Sequence, residues 1–305
     1  MKFRYYTADV FTDRVFGGNQ LAVFPDARGI DDARMQAIAR EFNFSETTFV
    51  LPPDDRRNTK RVRIFTPGAE IPFAGHPTVG TAHVLAAIGD IPLSGDTTKV
   101  VFEEGVGPIS VTIRSKAKHP VFAQLSVAKL PDVGPPPPAA ARLAAMLSLD
   151  ESDLAGPDMP PEAITCGLRY LLIPLASRDA VARARLRIDV WEKTLHGYWT
   201  DDIYFFALDP ELEGSDVHAR MFAPGYGIAE DPATGSAAAT LGGYLAMRNP
   251  RHDGTLRWVI EQGFKMGRPS ILEVEVDKNG GAISAVRVGG STVIVCEGEM
   301  DVPTA

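Results

Sequence analysis

One short motif occurs twice in this chain, and its two copies lie about half a chain length apart. RIFTPG, beginning at Arg63, recurs as RMFAPG, beginning at Arg220, in a sequence of 305 residues. A second echo follows in the same order, with EEGVGPISV from Glu103 and EQGFKMGRPSI from Glu261. A repeat whose period is half the chain predicts two similar lobes, and not a solenoid of many small units.

Each copy leads into a glycine–polar pair that is followed by small residues. The pairs are Gly75-His76 in FAGHPTVGTA and Gly235-Ser236 in DPATGSAAAT, and both run into alanine-rich, helix-like text. The first N–H groups of a helix have no partner within the helix, and the helix dipole favours negative charge there. Two related lobes would aim two such helix starts at one cleft, which suits a small carboxylate or the carbanion formed from it. The alternative is that these small residues only allow close helix packing.

Strand-like and helix-like segments alternate through both halves, which predicts a mixed α/β fold. Apolar spacing predicts a helix over 31–42 with Asp31 or Asp32 at its cap, and Pro77 at its favoured first position predicts another over 77–88. Further helices are expected over 139–147 and 233–247. We expect strands over 3–10, 20–24, 47–51, 61–65, 100–103, 108–113, 170–174, 203–208, 255–260, 271–276, 282–288 and 292–296.

The same pattern predicts where the lobes begin and end. The first lobe is expected to comprise residues 1–125, with 288–305 as a segment that can complete it, and the second lobe residues 126–287. The run Pro135–Pro138 lies in a polar break and is typical of a linker.

The charge balance excludes two broad classes of partner. The chain has 31 basic and 39 acidic residues and a net charge of -8, whereas nucleic acid or an anionic membrane surface requires a basic face. No stretch approaches the roughly 18 uninterrupted apolar residues that a membrane-spanning helix needs. The opening text, MKFRYYTADVFTDR, contains no apolar signal region, so we expect a cytoplasmic protein.

The sequence predicts no cofactor and no metal. Cys166 and Cys296 lie far apart, form no CxxC pair and are expected to be free thiols. His76 and His83 share one predicted helix but lack a third ligand, and no phosphate loop or GxGxxG stands between a strand and a helix. Arg169 in GLRYLL is more typical of a surface ion pair, and Cys166 lacks the nearby base that a nucleophile needs.

Four polar residues near the repeated turns are candidates for acid–base chemistry. Glu46 stands in NFSETTFVL, where a helix gives way to an apolar strand, and such a position can raise the pKa of a carboxyl group. His76 and Ser236 lie in the two glycine–polar pairs, and Asp231 comes just before the second pair. Each also has an ordinary structural interpretation, as a helix-end residue, a turn hydrogen bonder or a helix cap.

Three blocks carry a family resemblance: AREFNFSETTFVL, RIFTPGAEIPFAGHPTVGTA and RMFAPGYGIAEDPATGSAAA, with FGGNQLAVF near the start. Together they resemble the PhzF-like family of phenazine-biosynthesis proteins, in order and over essentially the whole chain. The resemblance implies a diaminopimelate-epimerase-like fold of class α/β (α+β). In that fold two pseudo-symmetric lobes each curl a sheet around a central helix, and the site lies between them. The resemblance also implies a homodimer.

The resemblance implies a cofactor-independent isomerase acting on a small carboxylate. The family's characterised activity shifts a proton within trans-2,3-dihydro-3-hydroxyanthranilate, and carried over by motif the glutamate that moves it is Glu46. His76 and Asp231 would orient the substrate and assist proton movement, while the N–H groups of both glycine–polar pairs would hold its carboxylate. Two alternatives stay open: an epimerase or racemase using the same pocket, and a non-catalytic carboxylate-binding protein. Racemisation by two thiols is disfavoured, because the turns carry His76 and Ser236 instead of cysteines.

Overall fold

The computed structural model describes residues 1–303, which form eighteen β-strands and six α-helices. The first ten elements are, in chain order, β1 (Lys2–Val10), β2 (Asn19–Phe24), α1 (Asp32–Phe42), β3 (Glu46–Leu51), β4 (Lys60–Phe65), β5 (Glu70–Ile71), α2 (Gly75–Ala87), β6 (Thr97–Glu104), β7 (Gly107–Lys116) and β8 (His119–Ser126). The others are β9 (Asp132–Val133), α3 (Ala140–Met146), β10 (Glu162–Thr165), β11 (Arg169–Pro174), α4 (Arg178–Arg183), α5 (Ile188–Leu195), β12 (Ile203–Ala207), β13 (Val217–Ala223), β14 (Ile228–Asp231), α6 (Gly235–Arg248), β15 (Gly254–Gln262), β16 (Ser270–Asn279), β17 (Ala282–Gly290) and β18 (Thr292–Asp301).

Two compact units divide the chain. The first contains Met1–Ser126 and the C-terminal segment from Val288 onward, and the second contains Val127–Arg287. The C-terminal segment belongs to the first unit because β18 pairs antiparallel with β1 over the whole length of β1. The run Pro135–Pro138 lies inside the second unit, between β9 and α3, so its interpretation as a linker between lobes is wrong. The Tyr198 hydroxyl of the same unit donates to the first two carbonyls of this run.

Both units connect their strands in the same way. In the first, β1 and β2 are antiparallel, β2 and β3 parallel, and β3 and β4 antiparallel. β4 then pairs antiparallel with β5 and parallel with β6, and β6 pairs antiparallel with β7. In the second unit, β10 to β16 repeat these pairings one for one. The duplicated motif therefore lies on matched strands, β4 and β13, as a duplication requires.

Each unit packs strands around one buried helix. α2 is buried from Gly75 to Ala86 and contacts β1, β2, β3, β7, β8 and β18. Small residues allow this approach: a Cβ on Gly80 would lie 2.5 Å from Val10 and 2.6 Å from Leu21. α6 lies in the same way against β10, β11, β15 and β16, where a Cβ on Gly242 would lie 2.4 Å from a valine of β16. Close packing thus explains the glycines inside these helices, while the glycines that begin them are a separate matter.

The opposite face of each sheet carries a second core. In the first unit α1 covers Phe49 and Phe65, whose ring centroids lie 5.4 Å apart. In the second, α3, α4 and α5 cover Phe205 and Phe222, with centroids 4.9 Å apart. Because both faces of these strands are covered by helices, the strands read as nearly continuous apolar text.

The arginine of the repeated motif fixes the short strand that precedes each buried helix. Nε and Nη2 of Arg63 lie 2.8 and 2.7 Å from the carboxylate oxygens of Glu70. Nε and Nη2 of Arg220 lie 2.8 and 2.9 Å from those of Glu230. A two-point arginine–carboxylate pair is geometrically specific, so it holds β5 against β4, and β14 against β13, in a defined position ahead of each helix start.

The predicted helix boundaries hold with one exception. Asp31 is the N-cap of α1, and its carboxylate accepts a hydrogen bond from the Arg34 N–H. Pro77 is not the first residue of its helix, because α2 already begins at Gly75. All N–H groups of the first turn lack an intrahelical partner, so proline is tolerated at its third position as well. The sequence also missed β8, β10, β14, α4 and α5, which are short or have weak periodicity.

Candidate active site

Glu46 is the first residue of β3, and its side chain is nearly buried. The preceding helix α1 ends at Asn43, whose φ of 51° turns the chain into the strand. The Glu46 side chain keeps 11% exposure, and the residue pairs with Leu21 of the neighbouring parallel strand. Because the C-cap of α1 is Asn43, Glu46 does not cap that helix, and its carboxyl group begins a buried strand.

His76 is the second residue of α2 and lies against this carboxyl group. Its Nε2 atom is 3.2 Å from Oε2 of Glu46, and its Nδ1 atom is 3.2 Å from the side-chain nitrogen of Asn19. The backbone of Gln20 also forms a hydrogen bond with the ring. β2, β3 and α2 thus bring their first residues together in one place.

Burial keeps the His76 ring neutral. Removal from water lowers the pKa of the imidazole to about 3, and the hydrogen bond with the Gln20 backbone opposes this only in part. A neutral imidazole has one N–H and one lone pair, so it can donate to a carboxylate or accept from a carboxylic acid, depending on its tautomer. His76 can therefore accompany Glu46 through both of its protonation states without itself becoming charged.

Neither buried helix has a side-chain cap at its start within residues 1–303. The N-cap of α2 is Ala74, which has no polar side-chain atom. The N-cap of α6 is Thr234, but its hydroxyl donates to the Asp231 carboxylate and accepts from the Gln262 amide instead. Both helix starts leave their first-turn N–H groups without a side-chain acceptor, which is the feature that an anion site needs.

Glu104 lies beneath the start of α2 and was not among the residues that the sequence suggested. Its Oε1 atom is 2.7 Å from the Thr78 hydroxyl, which lies 2.8 Å from the Ala74 carbonyl. A hydroxyl has one proton and a carbonyl only accepts, so Thr78 donates to Ala74 and Glu104 must donate to Thr78. Burial also raises the pKa of Glu104 to about 8. The side chain is therefore a protonated acid at neutral pH.

Asp231 and Ser236 lie at the matched turn of the second unit. Asp231 ends β14, and its carboxylate accepts from the Thr234 hydroxyl while its carbonyl accepts from Gln262, 2.8 Å away. Ser236 is the second residue of α6, and its hydroxyl lies 2.6 Å from that of Tyr170 on β11. Neither residue caps α6, so both ordinary structural interpretations fail here.

Tyr170 and Asp202 complete this second cluster, and sequence reasoning missed both. Burial, together with the charges of Asp202 and Asp231, raises the pKa of the Tyr170 hydroxyl well above its usual value. Asp202 immediately precedes β12, is 8% exposed, and has its pKa raised to about 7 by burial and by the charges of Asp201 and Asp231. The repeat was the signal that could have revealed them, because it predicts a counterpart for every residue around His76.

The predicted site residues thus form one cluster in each unit. Glu46 lies beside His76 and Gly75 in the first, and Asp231 belongs with Gly235 and Ser236 in the second. The catalytic and binding roles assigned to them stay predictions, as does the single cleft for the two helix starts.

The weaker candidates take ordinary structural roles. The Arg169 guanidinium stacks 4.9 Å from the Trp199 ring and donates to its carbonyl, so it forms a surface contact without a carboxylate. Burial raises the pKa of the Cys166 thiol to about 12, which makes it unreactive at neutral pH. Burial lowers the pKa of His83 to about 4.

Two classes of site are missing from the described part of the chain. Residues 1–303 contain no group of three or more His, Cys, Asp or Glu side chains arranged to hold a metal ion. Over the same residues, none of the helices is both long and apolar enough to cross a membrane.

Comparison with known proteins gives consistent matches over the full chain. The family model described as phenazine biosynthesis-like protein, PhzC-PhzF, matches residues 8–298. An uncharacterised isomerase of Mesorhizobium japonicum is 38% identical, over 97% of this chain and 98% of that protein. The trans-2,3-dihydro-3-hydroxyanthranilate isomerase of Pseudomonas aeruginosa is 33% identical, over 97% of this chain and 98% of that enzyme.

Solved structures agree with the sequence matches. The crystal structure of a PhzF-family phenazine biosynthesis protein from Bacillus anthracis superposes with a TM-score of 0.89 at 25% identity, covering 99% of this chain and 100% of that one. A hydroxyproline epimerase from Agrobacterium vitis has a TM-score of 0.65 at 13% identity, over 98% of this chain and 92% of that one. The second likeness concerns the fold alone, and it confirms the epimerase-like fold class.

Proposed function

The chain belongs to the phenazine biosynthesis-like (PhzC-PhzF) family of isomerases, and we propose that it uses Glu46 to move a proton between two positions of a small carboxylate. The observation that carries this proposal is the buried pair of Glu46 and neutral His76, 3.2 Å apart at the start of α2. The relatives named trans-2,3-dihydro-3-hydroxyanthranilate isomerase suggest a ring carboxylate as the substrate class.

In the proposed reaction, Glu46 first acts as a base and then as an acid. Its carboxylate takes a proton from a carbon conjugated with the substrate carboxylate, and the C–H electron pair spreads into the conjugated system. The protonated Glu46 then returns that proton to a different carbon, and the electron pair forms the new C–H bond. The substrate formula and oxidation level do not change, so the step needs no electron acceptor. A base positioned against a bound substrate supplies the rate that a free carboxylate lacks.

His76 and the start of α2 support both halves of this cycle. The neutral ring can donate to ionised Glu46 and accept from protonated Glu46, so it orients the carboxyl group in either state. The free N–H groups of the first turn stabilise the negative charge that develops on the substrate. In the second unit we assign substrate orientation to Asp231 and anion binding to the Gly235-Ser236 turn. The homodimer expected from the family stays a proposal.

The disposition of the cysteines argues against one alternative enzyme. A two-thiol epimerase requires reactive cysteines, but Cys166 is buried with a raised pKa, and Cys296 is an exposed residue of β18. The second residues of the two buried helices are His76 and Ser236 instead. An epimerase that uses oxygen and nitrogen groups, and a protein that only binds carboxylates, are separated from the proposal by experiment.

The decisive experiment follows isotope exchange in D2O by mass spectrometry. The purified protein is incubated with trans-2,3-dihydro-3-hydroxyanthranilate and with a panel of small carboxylates, and incorporation of deuterium at carbon is measured. We expect Glu46→Gln to slow exchange by roughly 10²-fold or more, the usual effect of losing a general acid–base group. Calorimetric binding should change little, because the helix start is intact. Glu41→Gln, an exposed change on α1, serves as the matched control and should exchange normally.

Two comparisons make the assignment specific. His76→Ala and Asp231→Asn should weaken binding as well as exchange, because substrate orientation is lost together with proton transfer. Normal exchange in Glu46→Gln combined with none in Asp231→Asn would make Asp231 the base. Binding of a carboxylate without any exchange in the unchanged protein would identify a binding protein.

A further inference from the structure

Asp202 occupies in the second unit the place that Glu46 occupies in the first. Phenylalanines of β3 and β12 pair with the matched arginines Arg63 and Arg220. The same number of residues back along each strand leads to Glu46 in one unit and to Asp202 in the other. Strand register therefore makes these two carboxyl groups structural counterparts, although the surrounding letters, SETTF and DDIYF, share little.

The neighbours of the two carboxyl groups correspond as well. In the first unit the second residue of the buried helix, His76, meets Asn19 from the start of β2. In the second unit the second residue of the buried helix, Ser236, meets Tyr170 from the start of β11. Asp202 acts electrostatically on Tyr170 more strongly than any other charged group does. The second unit thus holds its own set of carboxyl group, helix residue and strand residue.

The Asp202 carboxyl group is left without a protein partner. Its main chain is fixed, since the backbone N–H donates to Thr200 and the carbonyl accepts from Leu171. The side chain is 8% exposed, and its Oδ1 atom is buried with no hydrogen-bond partner among the residues described. A buried polar group without a partner is costly, so this one is expected to serve a ligand.

The groups that surround Asp202 determine what it can do for a ligand. Asp201 and Asp231 are the charged residues that act on it, and Tyr170 and Tyr226 are the titratable groups that sense its charge. Since the charged residues among these are acidic, ionised Asp202 would repel an anion. Protonated Asp202 removes that repulsion and adds an O–H donor. Its pKa of about 7 places the change between these states near neutral pH.

We propose that Asp202 is a positioning residue that takes up one proton when the substrate carboxylate binds at the start of α6. The proposal rests on the proposed function for the identity of the ligand, but the proton on Asp202 can be observed without turnover. Asp202 stays outside the proton transfer at carbon, which belongs to Glu46. Its effect is on binding, and it makes binding stronger at low pH than at high pH.

The first test separates KM from kcat as pH changes. In the unchanged protein KM should rise above neutral pH, approaching tenfold per pH unit, while kcat follows Glu46. Asp202→Asn, which imitates the neutral acid, should hold KM near its low-pH value at every pH and leave kcat within about threefold. Asp158→Asn removes a charge from an exposed turn of the same unit and should behave like the unchanged protein. An Asp202→Asn enzyme that keeps the rise in KM would overturn the proposal.

The second test needs no substrate. Infrared spectroscopy of the folded protein should show the C=O stretch of a protonated carboxylic acid that disappears as pH rises through about 7. That band should be absent in Asp202→Asn and present in Asp158→Asn. Its persistence in Asp202→Asn, or its absence from the unchanged protein, would refute a proton on Asp202 whatever the reaction. Normal isotope exchange in Glu46→Gln would instead refute the proposed function and leave the infrared result standing.

Discussion

Replacing Glu104 by Gln should make the protein more stable at neutral pH. Glu104 is buried under the start of α2 and donates to Thr78 as a protonated acid. A Gln side chain has nearly the same shape, and its N–H can donate to Thr78 in the same way, but it never ionises. The second unit already uses this solution: Gln262 ends β15 as Glu104 ends β6, and it bonds Thr234 at the start of α6.

The size and sign of the effect follow from the pKa of Glu104. Burial raises it from 4.5 to about 8 in the folded protein, so between these values the folded state holds a proton that the unfolded state has lost. The stability contributed by the protonated acid is complete below pH 4.5 and is lost as pH rises through about 8. Each pH unit in this window costs about 1.4 kcal/mol. The gain in Glu104→Gln should therefore grow from near zero around pH 5 to roughly 3 kcal/mol at pH 7.

Urea unfolding at a series of pH values measures this difference directly. The free energy of unfolding is determined from pH 5 to pH 8 for the unchanged protein, Glu104→Gln and the exposed control Glu41→Gln. We expect the curve of Glu104→Gln to diverge upward with pH, and that of Glu41→Gln to run parallel to the unchanged protein. A constant difference between Glu104→Gln and the unchanged protein would refute the reasoning, because it would mean that Glu104 ionises alike in the folded and unfolded states.

Two further predictions concern cofactors and packing. Isotope exchange should survive exhaustive treatment with a chelator, because the proposed proton transfer runs between Glu46 and carbon; loss of exchange that one metal restores would indicate a metal-stabilised enolate instead. Gly80→Ala should lower stability by about 1–3 kcal/mol, because the new Cβ would lie 2.5 Å from Val10. In the same unfolding measurement Gly156→Ala, where a Cβ meets nothing within 4 Å, should change stability by no more than about 0.5 kcal/mol.

Local pattern was sufficient for the architecture and for two of the residues proposed for catalysis. The repeated RIFTPG and RMFAPG motif predicted two matched units, because a duplicated sequence repeats the same hydrogen-bond pairings, and β4 and β13 do so. Small residues in both alanine-rich segments predicted the two closely packed helices. Glu46 and His76 could be identified because each stands at a recognisable boundary, where a strand or a helix begins.

Tertiary structure alone decided which polar groups share a buried space, and therefore which of them hold protons. No spacing along the chain connects Tyr170 with Ser236, or Glu104 with Thr78, since these contacts join elements that meet only after folding. Asp202 looks like one of two adjacent acidic residues in the sequence, and only strand register makes it the counterpart of Glu46. The physical reason is that desolvation and charge–charge interaction depend on distance through the folded protein. A carboxyl group in water and one buried beside other acids are written with the same letter.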